Sequence, residues 1–498
     1  MKLYKLKGLL ILGLLMLSCS DTEEDPVGIY TYDNFFTSED NVKSSLLYAY
    51  DNSREFDFYF TYYTLTELGT GSTFVTPNAI SNNMQEIKNW NLDPTIGALQ
   101  GFFESSYGGI KKANVILTYI DEIEFENEAT RNQYKGEARF IRAFYYFHLV
   151  RLFGEVPVYT TEIDPDASSN TPASSVQEVY NQIIEDLNFA VANVPAFKIP
   201  GRADKTAAEA QLAKVYLHLA SSKEYGSPRY EWVADQNQMY ANAAQAAKNV
   251  LNSATFDLDA SVFDTFPDND RESNEKLFVW SVDVDGLEVG RTSLQTFFMP
   301  YTFYSQFYTD EPGTDNIIGY WGGWASMSYD HDDYLSHDTN DQRLDLFIKT
   351  IYSDPNGGNP ADQGDIHYNL KYASETGAFY TGAATPFFLR MSDIALVYAE
   401  AVGPTGEGYN QINRIRNRAN IGDLTPGLSR AAFIEAVWQE RQWELVMEGY
   451  ALFDLRRTHR VDEYVGRDVD YSYFFPIPQR EVDLNQGIET DSEKKTLN

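Results

Sequence analysis

The residues best suited to chemistry in this 498-residue chain form one pentapeptide, Tyr320-Trp321-Gly322-Gly323-Trp324. A pyranose offers patches of C–H on its faces and hydroxyls around its rim, so a site for it needs flat aromatic platforms with amide, carboxylate or guanidinium groups at their edges. Paired glycines permit a tight turn on which two indoles stand exposed. Tyr301, Tyr304 and Tyr308 precede this turn, so Tyr304, Tyr320, Trp321 and Trp324 are candidate ligand contacts.

Two other clusters have the residue types for chemistry. Glu440, Glu444 and Glu448 fall at i, i+4 and i+8, which places them on one helix face. Such a row is either a catalytic or metal cluster or a set of buried ion pairs. The second reading is preferred, because charges in packed helices need partners and Arg441, Arg456 and Arg457 are near in sequence. Arg139, Arg142 and Arg151 are read in the same way. His331-Asp332-Asp333 with His337-Asp338 lacks zinc spacing, and Asp354 to Asn359 with Asp365 has oxygen ligands of the calcium type. Both read as solvated turns, and no metal is expected. Gly-x-Ser-x-Gly, His-Glu-x-x-His and the phosphate loop are all absent from the sequence, so no catalytic residue is assigned and no cofactor is expected.

Composition narrows the partners. The formal charge is −34, which excludes nucleic acid, since phosphate binding needs clustered Lys and Arg. Aromatic residues make up 15% of the chain, with 35 Tyr, more than a core alone calls for. The single cysteine, Cys19, allows no disulfide framework. It follows Lys2, Lys5, Lys7 and the apolar run Leu9 to Leu17, a run too short to span a bilayer. This reads as a secretory signal over 1–18 whose cleavage leaves Cys19 as the first mature residue and the site of lipid attachment. The acidic stretch after it is a solvated tether over 19–28, and 29–498 is the folded body.

These candidates must be held by helices. Helical periodicity runs from about 41 to 251 and again from about 391 to 457. Ser175 and Glu178 form a capping box ahead of Val176, Val179, Ile183 and Leu187, and Pro195 ends that helix. Glu137 to Phe153 is apolar around most of its girth, which means burial on two sides, and Gly154 stops it. Alternating Ala, Tyr and Leu on paired helices resembles a degenerate tetratricopeptide repeat. From about 254 to 386 short apolar runs are broken by Gly, Asp, Asn and Pro, a loop-rich insertion with minor β structure. Residues 458–498 read as an extended strap.

The ordered landmarks resemble one family. Asn89-Trp90 followed by Tyr107, Ile110 and Ala113-Asn114, EARFIRAFYYFHLVRLFGEVPVY from Glu137, GRADKTAAEAQLAKVYLHLA from Gly201, NRIRNRA from Asn413, ERQWELVMEGYALFDLRR from Glu440 and PIPQREVDLN from Pro476 are together similar to the SusD/RagB family of Bacteroidetes surface lipoproteins. The resemblance covers nearly the whole mature chain. It implies an all-α body of about eight helices in four tetratricopeptide-like pairs, with the irregular insertion building the ligand face. It also implies a lipid anchor on the outer face of the outer membrane and a SusC-like TonB-dependent transporter as partner. The family's ligand face draws on an early loop, which here is Gly69 to Trp90, so Asn82, Asn83 and Trp90 join the candidate contacts. Trp90 has a second reading as a core residue beside a landmark helix.

The expected function is non-catalytic capture of oligosaccharide and its delivery to that transporter. Peptide or glycoprotein cargo is an alternative within the same complex. A surface glycoside hydrolase is a further rival, which would need two carboxylates facing each other across a cleft. A periplasmic helical scaffold that binds peptides is the last.

Overall fold

The computed structural model describes residues 35–54, 56–76, 82–162, 170–198, 201–266, 273–279, 294–301, 306–308, 319–348, 350–352, 361–362, 364–374, 377–378, 381–382, 387–465 and 473–488. Cys19, the leader, the tether, Tyr304 and the calcium-type run 354–359 lie outside these residues.

The molecule is mostly helical. The helices are α1 Glu39–Asp51, α2 Phe56–Glu67, α3 Asn82–Lys88, α4 Gly97–Tyr119, α5 Glu128–Phe153, α6 Val176–Asn193, α7 Lys205–Glu224, α8 Gln236–Leu251, α9 Gln295–Phe298, α10 His331–Leu335, α11 Met391–Val402, α12 Gly406–Arg418, α13 Arg430–Leu445, α14 Ala451–Arg457, α15 Val461–Val465 and α16 Gln479–Leu484. Among the described residues, β structure is confined to two-stranded pairs. No described helix is long and apolar enough to cross a membrane.

Sequence-adjacent helices pack on one another through α4, α5, α6, α7 and α8. The stack then skips the insertion, because α11 packs directly on α8, and α12 and α13 follow it. Two blocks far apart in the chain thus make one pile of helices. The local reasons are those of sequence. The Ser175 hydroxyl accepts the Glu178 amide, while the Glu178 carboxylate accepts the Ser175 N–H at 2.8 Å, which completes the capping box of α6. Val194, held extended ahead of Pro195, closes it. Gly154 ends α5 at a φ of 75°, and from Phe140 to Phe153 that helix is buried throughout.

The acidic row is a set of ion pairs, but with partners from distant parts of the chain. Glu440 binds Arg343 at 2.7 Å and Arg416 at 3.1 Å. Glu444 receives Arg390 at 2.6 Å, Arg418 at 2.6 Å and Arg343 at 3.1 Å. Glu448 binds Lys371 at 2.6 Å and Arg390 at 2.7 Å, and it lies in the turn beyond α13, not on its face. The neighbours in sequence are engaged elsewhere. Arg441 binds Asp393 and Asp454, and Arg457 binds Glu400 and Asp454. Arg456 donates to the carbonyls of Arg151 and Leu152. Of the earlier arginines, Arg142 forks onto Asp186 at 2.7 and 2.8 Å, whereas Arg151 lies between the rings of Phe147 and Phe453. Arg343, Lys371, Arg390 and Glu275 belong to the insertion or its borders, so buried charge rivets the loop-rich region to α13.

One buried acid lacks such a cation. Glu67, the last residue of α2, accepts the amides of Gly449 and Tyr450, the latter at 3.1 Å, while its Oε2 has no hydrogen-bond partner among the described residues. Burial pushes its carboxyl up to about 8 from the ordinary 4.5. Between those values the folded protein holds a proton that the unfolded chain has released, so stability falls as pH rises through this window. Glu67→Gln keeps the acceptor oxygen and removes the titration. It is expected to gain on the wild type by roughly 4 kcal/mol between pH 5 and pH 8.5, read as the difference between the two urea midpoints at each pH.

Candidate functional site

The aromatic pentapeptide is a strand end and the turn that follows it, fastened by backbone hydrogen bonds to α9 and its neighbours. The first strands of the chain are β1 Thr73–Val75, β2 Lys276–Val279, β3 Gln306–Tyr308, β4 Gly319–Trp321 and β5 Met327–Tyr329. β4 pairs antiparallel with β3, which sets Trp321 opposite Gln306 and Tyr320 opposite Phe307. Alternation along β4 sends Tyr320 and Trp321 to opposite sides, and Tyr320 packs on the core. Four backbone N–H groups fasten the turn: Trp321 to Ser374 O at 3.2 Å, Gly323 to Pro300 O at 2.8 Å, Trp324 to Thr296 O at 2.6 Å and Ser326 to Phe297 O at 2.8 Å.

Gly323 has a different cause from the one its sequence suggests. A Cβ there would stand 2.5 Å from the Thr296 carbonyl oxygen, so the requirement is close backbone approach. The left-handed residue of the turn is Ala325, at a φ of 51°. Trp321 and Trp324 are half-buried, and Tyr301, bridged to Gly323, is 52% exposed.

The early segment meets this turn directly. β1 pairs antiparallel with β5, Thr73 opposite Tyr329, and the Thr76 amide donates to Ser326 O at 3.2 Å. The segment continues into α3, where Asn83 Oδ1 accepts the N–H of Gly97 at 2.9 Å and caps the neighbourhood of α4. An open cleft of about 400 Å³ lies between α2, α3 and α4, lined by Phe60, Thr64, Asn83, Gln100 and Glu104 among others. Phe60 meets Phe297 with ring centroids 4.3 Å apart, and Phe297 meets Trp324 at 6.4 Å. The two stretches are therefore packed together through the core, Phe60 of the cleft lining and Trp324 of the turn touching the same buried Phe297 ring.

Three sequence assignments change or fall aside. Trp90 is core: its ring is 5% exposed, its Nε1 donates to Gly69 O at 2.9 Å, and it packs on Phe475 of the strap. So covered, the indole packs as core, although it also contributes to the lining of a neighbouring cleft. Tyr304 is outside the described residues, and Asn82 is described only in its backbone, as the first residue of α3. Phe60, Gln100 and Glu104 were not foreseen, because their helices read as core and nothing in a single helix shows which turn borders a cleft.

The histidines serve structure. His337 Nδ1 lies 2.9 Å from Asp341 and its Nε2 2.8 Å from the Tyr329 hydroxyl, while His331 Nδ1 lies 2.9 Å from His367 Nε2. Among the described residues, no group of three or more His, Cys, Asp or Glu is arranged to hold a metal ion.

Comparison with known proteins agrees with the architecture. A family model described as "Starch-binding associating with outer membrane" matches residues 28–217. A SusD-like protein of Formosa agariphila is 26% identical over 530 residues, covering 98% of this chain and 99% of that protein. One of Bacteroides ovatus is 24% identical, covering 91% and 83%. Among solved structures, a SusD superfamily protein of Parabacteroides distasonis superposes with a TM-score of 0.77 at 21% identity, covering 91% of this chain and 98% of that one. Surface glycan-binding protein A of Bacteroides thetaiotaomicron, in complex with laminarihexaose, gives 0.72 at 20% identity, with 91% and 98% covered. A second family model, described as "SusD family", matches residues 223–492, more than half of the sequence, and takes in the insertion, α11 to α14 and the strap. With that match over more than half of its length, the chain belongs to the SusD/RagB family.

Proposed function

We propose that this protein captures oligosaccharides at the cell surface, without cleaving them, on the face formed by the Tyr320–Trp324 turn, Tyr301 and the Asn83 cleft. The observation that carries this reading is a fastened turn bearing two half-buried indoles, packed through Phe297 against the element that lines an open cleft with Asn83, Gln100 and Glu104. Support comes from proteins of the same fold, one a laminarin binding SusD-like protein and one solved with laminarihexaose. Binding alone fits the residues at hand: Glu104 is the one carboxylate in the cleft lining, and it is tied to Gln100 at 3.0 Å and Arg480 at 2.6 Å. A glycosidase needs two carboxylates facing each other across the bond it breaks.

The test is calorimetry of the body lacking residues 1–28 against a panel of oligosaccharides, with product analysis after long incubation. Saturable binding with no product is expected. Sustained product release overturns the non-catalytic reading, and binding of peptides in place of every glycan overturns the cargo.

The same reading includes a leader over 1–18, a lipid on Cys19, a tether over 19–28 and a SusC-like TonB-dependent transporter that takes the ligand onward. Family membership and the sequence around Cys19 support this placement. Cys19→Ser is expected to move the protein from the membrane fraction to the soluble one. Native purification from outer membranes is expected to bring a TonB-dependent barrel with it, and recovery of the unaltered protein alone would count against that partner.

A further inference from the structure

Two more clefts meet at Tyr464, and the first of them borders the opposite end of α3. One, of about 350 Å³, is lined by Thr73, Lys88, Asn89, Asp330 and Tyr464. The other, of about 110 Å³, shares Tyr464 and continues toward Trp438, Gln442 and Arg460. Tyr464 is 37% exposed and separates them. Its ring lies against the backbone of Gly71, where a Cβ would stand 2.7 Å from Cδ1 and where φ is +85°, so glycine is what lets the ring rest on the turn before β1.

The chemistry around this ring suits a neutral, hydroxyl-rich ligand. Lys88 and Asp330 carry opposite charge, and Arg460 is neutralised by Glu463 at 2.8 Å and Glu435 at 3.3 Å. These groups sum to one negative charge, which leaves nothing to draw in an anion. Trp438 lines the smaller cleft, and its buried Nε1 has no hydrogen-bond partner among the described residues. A donor in that position is costly unless a ligand or water meets it.

Resting on the glycan reading above, we propose that the Tyr464 clefts form a second subsite for the same oligosaccharide that occupies the Asn83 and Trp324 face. Asn83 and Met84 line the first cleft and Lys88 lines the second, so they sit at the two ends of α3. Five residues of helix rise about 8 Å, a distance that one short oligosaccharide bridges.

The probes are trioses and hexaoses of β-1,3-, β-1,4- and α-1,4-linked glucose, titrated into the body lacking residues 1–28. In the series that the unaltered protein binds, Tyr464→Ala is expected to weaken the hexaose at least fivefold and leave the triose unchanged. Tyr464→Phe should keep full affinity. Tyr464→Leu, which fills the space without a flat ring, should behave as the alanine variant does, and it serves in its place if that variant does not fold. Trp324→Ala should weaken both lengths. Unchanged hexaose affinity in the alanine and leucine variants overturns the second subsite while a Trp324 effect leaves the main site standing. If no hexaose of any series binds the unaltered protein, the subsite and the glycan reading fall together.

Discussion

Replacing Arg390 with methionine is expected to lower the free energy of unfolding by about 3–5 kcal/mol, read as a fall in the urea midpoint at pH 7. Arg390 is fully buried and holds Glu275 at 2.7 Å, Glu444 at 2.6 Å and Glu448 at 2.7 Å. Methionine fills much of its volume but leaves three buried carboxylates to the remaining cations, Arg343, Lys371 and Arg418. The cost arises from that stranded charge more than from the lost contacts. Adding Glu444→Gln to the methionine variant should therefore restore part of the stability, a non-additivity that two independent sites would not give. A loss below about 1 kcal/mol would place the network in the class of weak surface pairs. Because Arg390 and Arg343 join the insertion to α13, glycan affinity should fall along with stability. Acid should weaken the same region: Asp341 and Asp454 are held down to about 2 by His337 and Arg343 and by Arg441 and Arg457 respectively. Carboxylates depressed in this way stabilise the fold above their ordinary value of 3.8, and the contribution is lost as pH falls toward 2.

Trp324→Ala is expected to weaken oligosaccharide binding at least tenfold, about 1.4 kcal/mol, with Trp321→Ala having a comparable effect and the double variant a larger one. The thermal midpoint should move little. The turn is fastened by its own N–H groups to Thr296, Pro300, Phe297 and Ser374, none of which needs an indole. Gly323→Ala is the informative contrast, since its methyl group has to displace the Thr296 backbone. That change should disturb both the platform and the fold around it. Equal affinity in the two tryptophan variants removes the turn from the site.

The helical stack was legible because its signals are local. A capping box at Ser175, a glycine stop at Gly154 and apolar residues at helical spacing are each set within a few positions. The pairing of Glu440 and Glu444 was half legible. That the carboxylates are neutralised follows from their burial, but Arg343 and Arg390 lie far away in sequence and carry no periodic mark. Seeking their partners among Arg441, Arg456 and Arg457 failed for that reason. The site divides along the same line. Two indoles beside paired glycines announce a turn, whereas Phe60 and Gln100 become site residues only when α2 and α4 are set against α3. Trp90 shows the converse: an aromatic in an early loop reads equally as platform or core until Gly69 and Phe475 are seen to cover it.

The central claim is that helices hold, and the insertion with the early segment grips, a sugar chain. A crystal structure of the body with a bound oligosaccharide tests it most directly. The expected density has a ring stacked on Trp321 or Trp324 and hydroxyls within hydrogen-bond reach of Asn83 and Gln100. Density for the sugar elsewhere, with those four side chains untouched, would contradict the account.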